Sequence, residues 1–282
     1  MERRLLASLD KGLELDVEGT PAKDLRLQLR HADLTTLGMA SRRALRQSLV
    51  GDSGPSAEFV TRSDTAVILE PDGAQDGALL LRLTHPVMTL TPPLGTSASR
   101  LVGLASKASF RLTRTRDGAI IADVLAVADA VAPIAATWAA SLSLALPKLP
   151  AEPVSTGDTW GDRVEVGALG GAAPLTVERA MTLRGTVPCR VLSGDCAVVV
   201  GEVRLAQSAH IGEDSDTVVR VSGEGHGRLL LWLSVAKGLP DGAELRYSMD
   251  TRVERATTGA EDTVIRQAWE GVVVLSPPEG EP

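Results

Sequence analysis

Four histidines, two cysteines and several grouped carboxylates are the side chains of this sequence that could do chemistry. His31, His85, His210 and His226 stand apart, and no two have the HxH or HxxxH spacing that turns a pair of imidazoles onto one metal ion. Read singly, they are surface groups or satisfied polar groups. His226 lies in Ser222-Gly223-Glu224-Gly225-His226-Gly227, which resembles a phosphate loop only superficially. Phosphate cradles lead from a strand into a helix N-terminus. Here strands are predicted on both sides, so the glycines are expected to mark a bulge or bend in one long strand.

The carboxylates suggest equally little. Asp158 and Asp162 flank Trp160, and Glu213, Asp214 and Asp216 form a cluster. A glycosidase needs two carboxylates fixed across a cleft. A calcium loop needs oxygens at set positions with a glycine at the bend. The run 211–216 meets only part of that pattern and reads as a solvated acidic turn. No serine sits in a GxSxG elbow. Neither cysteine has a histidine nearby to make it a thiolate nucleophile. The chain is therefore not expected to be an enzyme, and neither a cofactor nor a metal is expected.

Cys189 and Cys196 enclose Ser193-Gly194-Asp195, turn chemistry between two apolar runs. Across a hairpin, opposed Cβ atoms lie roughly 4.5–5.5 Å apart, close to disulfide geometry. A Cys189–Cys196 disulfide is expected, and two unrelated buried thiols are the alternative. A zinc site needs more ligands than this stretch offers. A disulfide favours an oxidising compartment. The segment Met1–Ser8 begins like a basic signal sequence, but its apolar run stops at Asp10-Lys11. A periplasmic or cell-surface address is expected, with a cytoplasmic one still open, and any membrane attachment would need an anchor not visible in this chain.

The elements that position these residues read mostly as strands. Period-two alternation marks Leu25–Arg30, Leu79–Leu83, Phe110–Thr113, Val164–Val166 and Leu229–Val235. Turn signals stand at Pro71-Asp72-Gly73, Arg116-Asp117-Gly118, Ser193-Gly194-Asp195, Pro240-Asp241-Gly242 and Thr257-Thr258-Gly259. Segment 37–50 fits a helix or a strand, and its neighbours favour the strand. The exception is 130–146, rich in Ala and Leu, with Asp129 as N-cap and Pro147 and Pro150 as stops. It is predicted to be one apolar helix buried against a sheet. A membrane span would bury Asp123 and Asp129, at roughly 2.5–3.5 kcal/mol each.

The expected architecture is all-β and mainly antiparallel, with two strand-rich units joined by that helix. Residues 1–128 form the first unit, 129–149 the helix and a Pro-rich corner, 150–276 the second unit, and 277–282 a flexible tail. A late hairpin in each half suggests duplication, with convergent hairpins as the alternative. Length and composition suit this picture: 282 residues, 44% apolar, 23% charged, a net charge of -7 and only 2% aromatic. An acidic chain with few rings is a poor nucleic-acid binder. Trp138, Trp160, Trp232 and Trp269 are predicted to be structural.

The sharpest local pattern is Leu149-Pro150-Ala151-Glu152-Pro153-Val154-Ser155-Thr156-Gly157-Asp158-Thr159-Trp160. Pro153 holds an extended backbone, Gly157 permits positive φ, Asp158 can accept a bond from a nearby backbone N–H, and Trp160 opens a strand by plugging the core. The pattern Leu149-Pro150, Pro153-Val154, Gly157-Asp158 and Trp160 resembles the mid-chain signature of a bacterial family of secreted or lipid-anchored β-rich proteins of unknown function. The late hairpin within Gly225–Val253 fits the same family. The low aromatic and Lys content departs from it, and no lipobox is visible. The resemblance implies an extracytoplasmic address and no particular activity.

Together these features lead to a non-catalytic cell-envelope or surface protein acting as a binding or structural scaffold, with a protein partner or self-association. The alternative is a carrier of a lipid or other apolar ligand, held between a curved sheet and the central helix. The small side chains Ala135, Ala136, Ala139, Ala140 and Ser141 would leave the room it needs.

Overall fold

The computed structural model describes residues 17–28, 37–51, 57–71, 79–91, 109–114, 120–126, 140, 143–166, 173–212, 217–258 and 263–276. Within them lie eleven strands: β1 (Leu37–Gly51), β2 (Ala57–Pro71), β3 (Leu79–Thr91), β4 (Ser109–Arg114), β5 (Ile120–Ala126), β6 (Thr159–Val166), β7 (Leu175–Pro188), β8 (Asp195–Ile211), β9 (Thr217–Ser234), β10 (Pro240–Thr257) and β11 (Thr263–Ser276). Segment 37–50 is thus a strand.

All eleven strands belong to one antiparallel sheet, in the order β5-β4-β3-β2-β1-β11-β10-β9-β8-β7-β6. Every neighbour in that order is also a neighbour in the chain, except β1 and β11, whose pairing runs from Ala40↔Ser276 to Gly51↔Ile265. The succession is that of an up-and-down barrel cut once, between β5 and β6. The sheet also curls. Val124 of edge strand β5 packs against the core formed by β6–β11 and residues 140–149, so the two edges share one interior.

The strands of 1–128 and of 150–276 do not form separate units joined by an apolar helix, because β1 takes β11 as its partner and one sheet crosses the division. Among the described residues of 130–146, helical backbone is confined to 140 and 143–145, with a bend at 146; the remainder lies outside the described residues. The boundary at 129–149 falls between the two sheet edges. Leu25–Gln28 do not form a strand either: Leu25 makes an isolated bridge to Val154, Arg26–Gln28 have no ladder, and Leu29 and Arg30 lie outside the described residues. Pro240-Asp241-Gly242 opens β10 with a register shift, and the chain reverses earlier, at 235–237. The acidic run 213–216, the tail 277–282 and Trp138 lie outside the described residues.

Alternation explains the packing. In β7, Leu175, Val177, Met181 and Leu183 face inward and are almost fully buried, and Val199, Val203 and Leu205 do the same in β8. Each buried aliphatic side chain contributes about 1.5–3 kcal/mol. The outward positions carry Glu202, Arg204, His226, Arg228, Glu244 and Arg246 instead.

Candidate ligand-binding face

The interior is fastened to the β6–β7 edge by one buried ion pair. Arg179 (side chain 0% exposed) donates to both oxygens of Asp162 (2% exposed), at 2.7 and 2.6 Å. Its remaining nitrogen reaches the carbonyls of Ser143, Leu144 and Leu146 at 2.8, 3.1 and 3.3 Å. A cation thus sits at the C-terminal end of the helical segment, where carbonyls lack intrahelical partners and the peptide dipoles favour positive charge. Asp162 also accepts from the Lys148 amide, and the Trp160 indole donates to the Lys148 carbonyl.

The predicted corner lies beside this pair. Gly157 has φ 95°, and its amide bonds the Leu183 carbonyl. Asp158 accepts from the Ser155 amide at 2.7 Å. Pro153 is exposed, while Trp160 is half-buried against the core. Val154 exchanges two backbone bonds with Leu25, which brings the N-terminal stretch 17–28 over the corner. Asp158 and Asp162 therefore serve separate structural ends and do not converge.

The opposite face carries a small second core. Cys196, Val198, Leu230 and Trp232 are buried there, with Val17 and Cys189 packed against them. Cys189 and Cys196 are disulfide-bonded with Cα atoms 5.0 Å apart, as the hairpin reading expects. The loop they close offers the amides of Arg190, Val191 and Leu192 to the buried Asp241 carboxylate, at 2.7, 3.0 and 2.8 Å. Arg190 lies 4.1 Å from the Trp232 ring centroid, a cation–π contact. Cys189, Cys196 and Asp241 lie close enough together to suggest a metal site. However, the sulfurs are bonded to each other and the carboxylate is occupied by amides, so the donor set does not fit one.

Among the described side chains, His210 and His226 stay apart. His85 lies in β3, His31 is outside the described residues, and His210 and His226 are exposed on β8 and β9. His210 accepts from Arg220, and His226 meets the Ser248 hydroxyl. The glycine-rich run around His226 is not a bulge: β9 pairs with β8 and β10 without a register shift through 222–227. The reason for the glycines is space. A Cβ at Gly225 would fall 2.8 Å from Met249 Cβ, and one at Gly227 would fall 3.0 Å from Tyr247 Cβ. Across the sheet, the Tyr247 ring covers Gly271 and Met181 covers Gly201. Large residues of one strand lie over bare backbone of the next, which lets the curled sheet tighten.

Sequence reasoning missed one polar level on this inner face. Val166, Leu175, Gln207, Gly223, Thr251 and Gln267 stand in direct register across β6–β11. Gln207 is buried and donates to the Ala173 carbonyl at 2.6 Å. Thr251 is buried too, and its hydroxyl has no hydrogen-bond partner. The signal available was a pair of glutamines and a threonine at inward positions of otherwise apolar strands. A groove of about 750 Å³ crosses the strands at the same level. It is lined on the exposed side by Ser208, Ser222, Glu224, Asp250, Arg252 and Arg266.

No family model and no curated protein matches the chain. Among solved structures it has similarity to OpdQ of Pseudomonas aeruginosa (7% identity, 85% of this chain and 99% of that one, TM-score 0.21). It has similarity also to a mutant Rh. blastica porin (12%, 86% and 100%, TM-score 0.22). A third is a DUF1329 family protein from Desulfovibrio piger (10%, 88% and 88%, TM-score 0.14). At these TM-scores the likeness carries no conclusion. Over much of β7–β10 the inner positions are apolar and the outer ones charged, the reverse of the outward apolar band of a transmembrane barrel. Among the described residues no helix is long and apolar enough to cross a membrane.

Proposed function

We propose that this chain is a non-catalytic binding protein of the bacterial cell envelope, and that it carries a lipid or other apolar ligand inside its curled sheet. The observation behind this reading is the division of β7–β10 into an inner face of mainly Leu, Val and Met and an outer face that is charged over much of its length, with Val124 of β5 packed on the same core. Curled sheets of this kind hold small apolar ligands. The disulfide supports an extracytoplasmic address, because such bonds persist in oxidising compartments. Exchange of the ligand calls for a protein partner or a second copy of the chain. A structural scaffold is the second reading. The edge strand β6 favours it, because β7 is its only strand partner among the described residues and a free edge is a template for another chain.

The test is lipid extraction of the full chain purified from an oxidising host, with mass spectrometry of the extract, followed by titration of the delipidated protein with the hydrocarbon fluorophore diphenylhexatriene. A co-purifying lipid and saturable one-site fluorescence are expected. No lipid and no saturable fluorescence would leave the scaffold.

A further inference from the structure

We propose that the notch over Gly223, closed by Met249 and ending at the Thr251 hydroxyl, is the subsite for the uncharged polar end of the bound amphiphile: an alcohol, ester or amide at the end of an acyl chain. This rests on the carrier reading above.

Thr251 is 5% exposed, yet its Oγ1 has no partner. Buried hydroxyls are normally bonded, and leaving one unpaired costs stability in the empty protein. Gln207, two strands away on the same level, shows the usual solution in its bond to Ala173. The orientation of the Thr251 hydroxyl is known from its neighbour. A Cβ on Gly223 would stand 2.9 Å from Thr251 Oγ1 and 2.9 Å from Met249 Cε. The unpaired oxygen therefore looks onto bare glycine backbone, and the side chain filling that space is a methionine. Methionine has three rotatable bonds and repacks at little cost. Rotating Met249 away exposes a backbone-floored slot beside a waiting donor and acceptor. Close strand approach explains the three glycines themselves, since a Cβ would meet the Asp250 carbonyl at Gly223, the Ser248 carbonyl at Gly225 and the Arg246 carbonyl at Gly227. It leaves the lone hydroxyl unexplained.

The surroundings select an uncharged group. The other residues in register on this level are Val166, Leu175, the amides Gln207 and Gln267, and beyond them Leu49 and Ala57. The nearest cations in sequence, Arg252 and Arg266, line the same groove as Thr251, but they are exposed and alternate to its outer side. A carboxylate here would be buried without a counter-charge.

The experiment compares wild type, Thr251→Val and Thr251→Ser, each delipidated. Diphenylhexatriene is titrated first, then displaced with dodecanol and with dodecanoate. Dodecanol is expected to bind wild type and Thr251→Ser alike, and Thr251→Val on the order of tenfold more weakly, the worth of one hydrogen bond. Diphenylhexatriene affinity stays the same in all three. Ligand-free Thr251→Val melts at or above the wild-type temperature, because it loses an unpaired hydroxyl. Equal dodecanol affinity in Thr251→Val, a lowered melting temperature for that variant, or tighter binding of dodecanoate than of dodecanol each overturns the subsite and leaves the carrier reading intact. Failure of wild type to bind diphenylhexatriene overturns both.

Discussion

Replacing Arg179 by Met tests how the interior is fastened to the sheet. The variant keeps the length and apolar stem of the side chain but removes five contacts: two to Asp162 and three to the carbonyls of Ser143, Leu144 and Leu146. Asp162, 2% exposed, is left bonded to the Lys148 amide. Removing one member of a buried pair costs about 3–5 kcal/mol, chiefly because the other charge stays buried without compensation. The orphaned carbonyls at the helical end add to this. A loss of about 4 kcal/mol is expected, lowering the melting temperature by roughly 10 °C for a chain of this size. Urea unfolding followed by far-ultraviolet circular dichroism measures it. Adding Asp162→Leu in the same chain removes the stranded carboxylate and is expected to restore at least half of the loss. If Arg179→Met alone unfolds within about 1 kcal/mol of wild type, or if the double variant is no better than the single one, the pair does not hold the segment and the reasoning fails.

Other expectations concern the closed end and the glycines. Changing Cys189 and Cys196 to Ser opens a short loop and is expected to lower stability by about 2–3 kcal/mol, read by thermal unfolding; two titratable thiols in unreduced wild type would contradict the bond itself. Asp241→Ala strands the amides of Arg190, Val191 and Leu192 and is expected to cost about 3 kcal/mol, with faster amide exchange at those positions by NMR. Gly225→Ala pushes a methyl against the Ser248 carbonyl and Met249, so a loss of about 1–3 kcal/mol is expected; a neutral result in urea unfolding would mean the strands can separate there freely.

Local features were the legible ones. Leu229–Val235, the Ser193-Gly194-Asp195 hairpin with its disulfide, and the Gly157 corner each depend on a few adjacent residues, and their chemistry is written in those residues. The single sheet was not legible, because the pairing of β1 with β11 joins residues more than two hundred positions apart and leaves no local mark. The glycines of β9 were misread for a related reason. Their cause is the bulk of Met249 and Tyr247 on the next strand, which no pattern within Ser222–Gly227 can reveal. The polar level escaped notice because Gln207, Thr251 and Gln267 look like ordinary hydrophilic residues until register aligns them.

The place of β11 between β10 and β1 constrains how the chain can mature. The ribosome makes β1 early and its lasting partner last. Until residues 263–276 emerge, the meander β1–β5 has an exposed inner edge and nothing to dock on. Contacts so distant in sequence form slowly, and unpaired strand edges invite aggregation. A chain of this topology therefore gains by staying unfolded until its last strand is available. Loss of β11 alone would leave both halves of the sheet with nowhere to join.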